Sequence, residues 1–191
     1  MATKKKAVLR GVELVEAVMK SRDEELEPMP AAQLSKLKLG KRPLSPALKK
    51  WLEHDGELFT LGTPEPFVEM VEREFGEEWA EIFGELKELK DPVVLFEGWG
   101  SDSRRFLYLG KTDALGEYTV MTIDMDDTPF LCVNGPVDVW LAQQVGYLEE
   151  EEVYGHVPEA YEPARKEHAK LNFGGFVLWQ DGERQRTLGD E

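Results

Sequence analysis

Three carboxylates within four residues, Asp124, Asp126 and Asp127, have the spacing in this chain best suited to gripping a hard divalent cation, because Mg²⁺ and Ca²⁺ prefer oxygen ligands. The calcium-loop pattern fails, since no glycine follows at its sixth position and Thr128-Pro129 stands there instead. Asp before Thr-Pro is also turn chemistry between two strands, so the triplet reads as a turn that exposes charge. His54, His156 and His168 have no Cys or His at zinc-ligand spacing. His54 falls in the last turn of a predicted helix, where the dipole favours a cation. Gly98-Trp-Gly100-Ser-Asp-Ser103 is glycine-rich but lacks the lysine that grips a phosphate, and Gly-x-Ser-x-Gly does not occur. The single cysteine, Cys132, sits in Phe130-Leu-Cys-Val133 and reads as a buried strand thiol. With no assembled nucleophile and base, the expectation is a non-catalytic protein without cofactor or metal.

Charge is the strongest signal. Between Thr112 and Ala164 there are twelve acids and no Lys or Arg, within a chain of 191 residues and net charge −15. The first fifty residues, by contrast, hold twelve basic and six acidic side chains. A field this negative repels nucleic acid and anionic membrane and attracts basic proteins. No apolar window approaches the ~18 residues of a membrane span, and the basic N-terminus lacks the apolar core of a secretory leader. A cytoplasmic protein is expected.

Apolar residues at helical spacing predict an amphipathic helix over 8–22, through Val8, Val12, Val15 and Met19. Ser45 as cap, Pro46 in the first turn and Gly56 as a left-handed stop frame a second helix carrying Leu48, Trp51 and Leu52. A third helical pattern runs from Thr63 to Leu89, kinked or split at Gly76 and Gly84. Trp51, Trp79 and Trp140 fall at core spacing. Four short strands are then expected at 93–96, 105–109, 117–123 and 130–133, joined by hairpins. A helix opens at Pro136, another spans 158–171, and 174–179 reads as a last strand. The chain is thus expected to form one α+β domain over 1–191: helices, an antiparallel meander of four or more strands, then helices, with a loose N-terminus (1–6) and tail (181–191).

Pro43-Leu-Ser-Pro-Ala-Leu-Lys-Lys-Trp-Leu-Glu-His-Asp-Gly56 and Leu107-Tyr-Leu-Gly-Lys-Thr-Asp-Ala-Leu-Gly-Glu-Tyr-Thr-Val120, continuing through Ile123-Asp-Met-Asp-Asp-Thr-Pro129, resemble the SUKH superfamily. That fold is shared by a fungal cell-wall-assembly regulator and many bacterial toxin-immunity proteins. Trp140-Leu-Ala142 falls where such domains place a helix after the sheet. The similarity covers about 44–61 and 93–146. It implies a scaffold that acts by binding other proteins and carries no catalytic residues.

Resemblance and charge together predict an immunity protein that neutralises a cognate basic toxin, of the kind that cuts nucleic acid, by direct binding. Asp113, Glu117, Asp126, Asp127, Glu149, Glu150, Glu151 and Glu152 are the expected carboxylate contacts, with Asp113 and Glu117 exposed beside a hairpin turn. Trp99, between two glycines, is the candidate aromatic anchor. The alternatives are a regulatory interaction domain with an endogenous partner, or a metal-dependent hydrolase using Asp124, Asp126 and Asp127.

Overall fold

Val93-Val94-Leu95-Phe96 sets the architecture, because successive strand side chains point to opposite faces and here all four are apolar. Val93 and Leu95 enter one core, while Val94 and Phe96 enter another. A strand buried on both faces requires a layer on each side. The computed structural model, which describes residues 8–84, 86, 89–97, 103–125, 129–149, 156–180 and 183–185, shows those layers.

The helices are α1 (Gly11–Ser21), α2 (Ala31–Leu34), α3 (Pro46–Leu52), α4 (Phe67–Phe75), α5 (Glu77–Gly84), α6 (Val137–Gln144) and α7 (Glu162–Phe173), the last preceded by a 3-10 turn at Glu159–Tyr161. The strands are β1 (Thr60–Leu61), β2 (Val93–Glu97), β3 (Ser103–Tyr108), β4 (Thr119–Asp124), β5 (Phe130–Pro136), β6 (Leu178–Gln180) and β7 (Glu183–Gln185). They form one sheet in the order β1-β2-β3-β4-β5-β6-β7, each antiparallel to the next. Leu14, Val18, Leu48, Trp51 and Trp140 of α1, α3 and α6 cover one face, against Val94, Phe96, Leu107 and Val120. Phe67, Met70, Phe83 and Phe173 of α4, α5 and α7 cover the other, against Leu95, Phe106, Met121 and Ile123. The fold is α+β, as expected.

Several sequence expectations resolve in detail. The 63–89 pattern is two helices, separated at Gly76, whose φ of 108° breaks the turn. Trp51, Trp140 and Cys132 are buried, but Trp79 is partly exposed. The last strand is shorter than 174–179 and is joined by β7, so residues 183–185 of the expected loose tail pair with β6. Residues 1–6 lie outside those described. β4 starts at Thr119 rather than Glu117, because residues 113–117 form their own turn, with Asp113 N–H donating to the Glu117 carbonyl at 3.2 Å.

Gly56 differs most from expectation. Ser45 caps α3 as expected, accepting from Leu48 N–H at 3.4 Å, but the helix ends at Leu52 and Gly56 is not among the left-handed glycines. Its role is close approach. Gly56 N–H donates to the Glu27 carbonyl at 2.7 Å and Met29 N–H donates to Leu52 at 2.9 Å, so a Cβ at residue 56 would stand 2.8 Å from the Met29 nitrogen. Backbone, unlike a flexible side chain, yields only by moving a segment. Gly56→Ala should therefore lower stability by about 1–3 kcal/mol in urea unfolding. A loss below about 0.5 kcal/mol, the range of neutral surface changes, would show that segment 27–29 moves aside freely.

Candidate functional site

Asp138 is a charge in the first turn of an otherwise mainly apolar helix, Val137-Asp-Val-Trp-Leu-Ala142, and it is fully buried. Such a group must be paired. Gly11 N–H, at the start of α1, donates to Asp138 Oδ2, and Arg10 Nε donates to the same oxygen at 2.7 Å. Arg10 also reaches Asp113 Oδ2 at 2.8 Å, across 103 positions of sequence. The other Asp113 oxygen accepts from Leu115 and Glu117 N–H, both at 2.9 Å, and so builds the turn before β4. From α7, His168 Nε2 lies 3.3 Å from Asp113, its Nδ1 lies 2.8 Å from Thr119 Oγ1, and Asn172 donates to that hydroxyl at 3.1 Å. Donation from Asn172 to Thr119 to His168 to Asp113 satisfies each group once. Burial alone would raise the Asp113 pKa, but His168, the Glu117 amide and Arg10 outweigh it and hold the carboxyl well below its usual range.

Glu117 lies beside this network. Oε1 accepts from Ala47 N–H at 2.9 Å, capping α3 from a turn distant in sequence, while the fully buried Oε2 meets no hydrogen-bond partner among the described residues. Burial pushes its pKa from 4.5 to about 7; Ser45 and the Ala47 amide oppose the shift, and Asp138 and Asp113 add to it.

Asp113 and Glu117 therefore correct the expectation of an exposed acidic hairpin: their carboxylates are 3% and 0% exposed and face inward, where they tie α1, α3, α6 and α7 to the meander. Glu149 is exposed, with its carbonyl accepting from Gln143 at 3.2 Å. Trp99, Asp126, Asp127, Glu150, Glu151 and Glu152 lie outside the described residues. Asp124 is buried at the end of β4, and among the described residues no group of three His, Cys, Asp or Glu is placed to hold a metal ion. His54 lies past the end of α3 rather than in its last turn. Arg104 donates to Glu74 at 2.6 Å.

Exposed carboxylates gather elsewhere. Asp23, Glu24, Glu25 and Glu27 follow α1, and the bond from Gly56 to Glu27 sets them beside Glu53 and Glu57. Arg22 engages Glu24 and Asp55, and Lys50 engages Glu53, which leaves Asp23, Glu25, Glu27 and Glu57 without ion pairs among the described residues. Against this rim opens an apolar pocket of about 140 Å³ lined by Met29, Gln33, Leu37, Leu52, Phe59 and Leu61. Its wall includes β1, the end strand of the sheet, whose outer edge has no strand partner among the described residues. Sequence reasoning passed over this region because the first fifty residues are basic in sum. The run Asp23-Glu-Glu-Leu-Glu27 was the available signal.

Compared with protein-family models, curated proteins and solved structures, the chain matches none. Among the described residues no helix is long and apolar enough to cross a membrane.

Glu117 supplies a pH test. The folded chain keeps a proton up to about pH 7 that the unfolded chain gives up near 4.5, so from about pH 5 to 8 stability should fall as pH rises. The decline attributable to this group is at most ~3 kcal/mol. Glu117→Gln should flatten it, read as the variant minus wild-type difference in urea unfolding at about pH 5 and about pH 8. Equal slopes in both proteins would mean that Glu117 does not titrate there.

Proposed function

We propose that this protein is a non-catalytic binding protein of the SUKH kind, an immunity protein that neutralises a basic, nuclease-type toxin by occupying its cationic cleft. The observation that carries the reading is a group of exposed carboxylates, Glu25, Glu27 and Glu57, without ion pairs among the described residues, beside a pocket at the β1 edge of the sheet. Interfaces combine these elements: charges steer the encounter and set its rate, while an apolar side chain buried in a central pocket supplies the affinity. An exposed strand edge adds backbone hydrogen bonds for an extended segment of the partner. The inward-facing Asp113 and Glu117 serve this function only as scaffold. The resemblance in residues 44–61 and 93–146 and the net charge of −15 support the same reading.

The expected partner is a basic polypeptide, retained from a lysate of the source cells, whose cleavage of nucleic acid stops when this protein is added. Its association rate should drop steeply between about 0.1 M and 1 M salt, over which the Debye length shrinks from ~10 Å to ~3 Å. The triple variant Glu25→Lys/Glu27→Lys/Glu57→Lys should slow association, and Leu61→Asp should speed dissociation by placing a charge in the pocket. A captured nuclease whose activity persists, or an association rate indifferent to both salt and the triple variant, would defeat the proposal.

A further inference from the structure

Between Glu27 and Glu53 this acidic chain has no Asp or Glu, yet it holds Lys36, Lys38, Lys41, Arg42, Lys49 and Lys50. The fold turns the middle of that segment into a tight hairpin. Leu39 and Arg42 exchange backbone hydrogen bonds at 3.0 and 3.1 Å, buried Leu39 anchors the turn in the core, and Lys41 is exposed at its tip. Arg42 then crosses to the sheet, donating to the Gly110 carbonyl at 2.8 Å and to Asp91 at 3.0 Å. Those two contacts set the hairpin beside Lys90 and Lys111. Lys38, Lys41, Lys90 and Lys111 are all exposed, and none makes an ion pair among the described residues. In a chain with 38 acids and 23 bases, four exposed lysines gathered around Arg42, which itself engages Asp91, stand out.

The same contacts frame an open cleft of about 540 Å³, lined by Arg42, Gly110, Lys111, Thr112, Tyr118 and Leu171. That volume falls in the range of small-molecule sites, roughly 300–1,000 Å³. The cleft is also preformed. Lys111 N–H donates to Asn172 Oδ1 at 2.7 Å and its carbonyl accepts from Asn172 Nδ2 at 3.0 Å, which clamps the loop to α7. Gly110 admits no side chain, for a Cβ there would lie 2.3 Å from the Tyr108 ring and 2.4 Å from Asn172. Arg42 spends two of its five N–H groups on Gly110 and Asp91, leaving others of its planar fork to donate.

We infer that the cleft binds a small multivalent anion, carrying phosphate or several carboxylates, with Arg42 as the planar donor, Lys41 and Lys111 as flanking charges and the Thr112 hydroxyl as a neutral donor. Size follows from the surrounding field. A long polyanion would leave the basic patch and run over acidic surface, where its phosphates meet repulsion, whereas a small anion stays within the ~8 Å over which charge is felt at physiological salt. This site is separate from the acidic rim, and the inference does not rest on the partner proposed above.

The test is calorimetric titration of the full chain with pyrophosphate and, separately, with citrate, at an ionic strength held constant with sodium chloride. Saturable binding of at least one is expected, and their ratio tells phosphate from carboxylate preference. Lys41→Glu/Lys111→Glu should weaken binding by about tenfold or more, with the urea midpoint unchanged because both side chains are exposed. Absence of binding by both anions, or equal binding by the double variant, overturns the inference. So does a hexaglutamate peptide that binds through these lysines more tightly than either anion, since the occupant would then be an acidic protein segment.

Discussion

Arg10 stands between two carboxylates that the sequence keeps far apart, Asp138 in α6 and Asp113 in the β3–β4 connection, and the position of the first helical layer follows from that contact. Two buried anions against one guanidinium leave a deficit of positive charge. Backbone amides of Gly11, Leu115 and Glu117 reduce it, and so does the His168 imidazole from the opposite layer. The network therefore spans the sheet, touching α1, α6, the hairpin turn and α7. Removing one member would leave its neighbours charged, dry and unpaired, which costs far more than the intact arrangement contributes. Such groups add little net stability, but they are intolerant of wrong registers, and that intolerance suits the positioning of helices whose packing surfaces are otherwise mostly apolar.

Much of the architecture was legible in the residues. Strands 93–96 and 105–109 announce themselves because both faces are buried, which gives continuous β-branched and aromatic runs bounded by Gly and Asp. Ser45-Pro46 marked the start of α3, and Gly76 the division of α4 from α5. The charged sites were harder to read. Asp113 and Glu117 sit in a turn, where carboxylates are ordinarily solvated, and they turn inward to partners remote in sequence, Arg10 and His168 for Asp113 and the Ala47 amide for Glu117. Gly56 was mistaken for a helix stop because composition cannot distinguish a glycine needed for φ from one needed for space. Asp138 is the one charged residue of α6, but sequence reasoning passed over it, since its partners come from other elements.

Summed charge proved a poor guide to surface charge. The acid-rich half of the chain hides several of its carboxylates, whereas the basic first fifty residues contribute both the exposed run Asp23–Glu27 and the lysine hairpin at 38–42. One chain thus carries two local clusters of opposite sign, and each is set by hydrogen bonds to specific neighbours, Gly56 to Glu27 for the acids and Arg42 to Gly110 and Asp91 for the lysines, rather than by composition.

The strictly sequential strand order bears on how the chain reaches this state. From β2 to β5 each strand finds its partner across one short connection, so little loop entropy is lost before pairing is rewarded. β6 must wait, because α6 and α7 intervene before it can dock on β5, and β1 is likewise set apart from β2 by α4 and α5. The Arg10 contacts close a much larger loop. A meander that assembles early, followed by slow closure of the N-terminal layer through Arg10, is the kinetic order this topology favours, and the buried charges would then be the last groups to leave water.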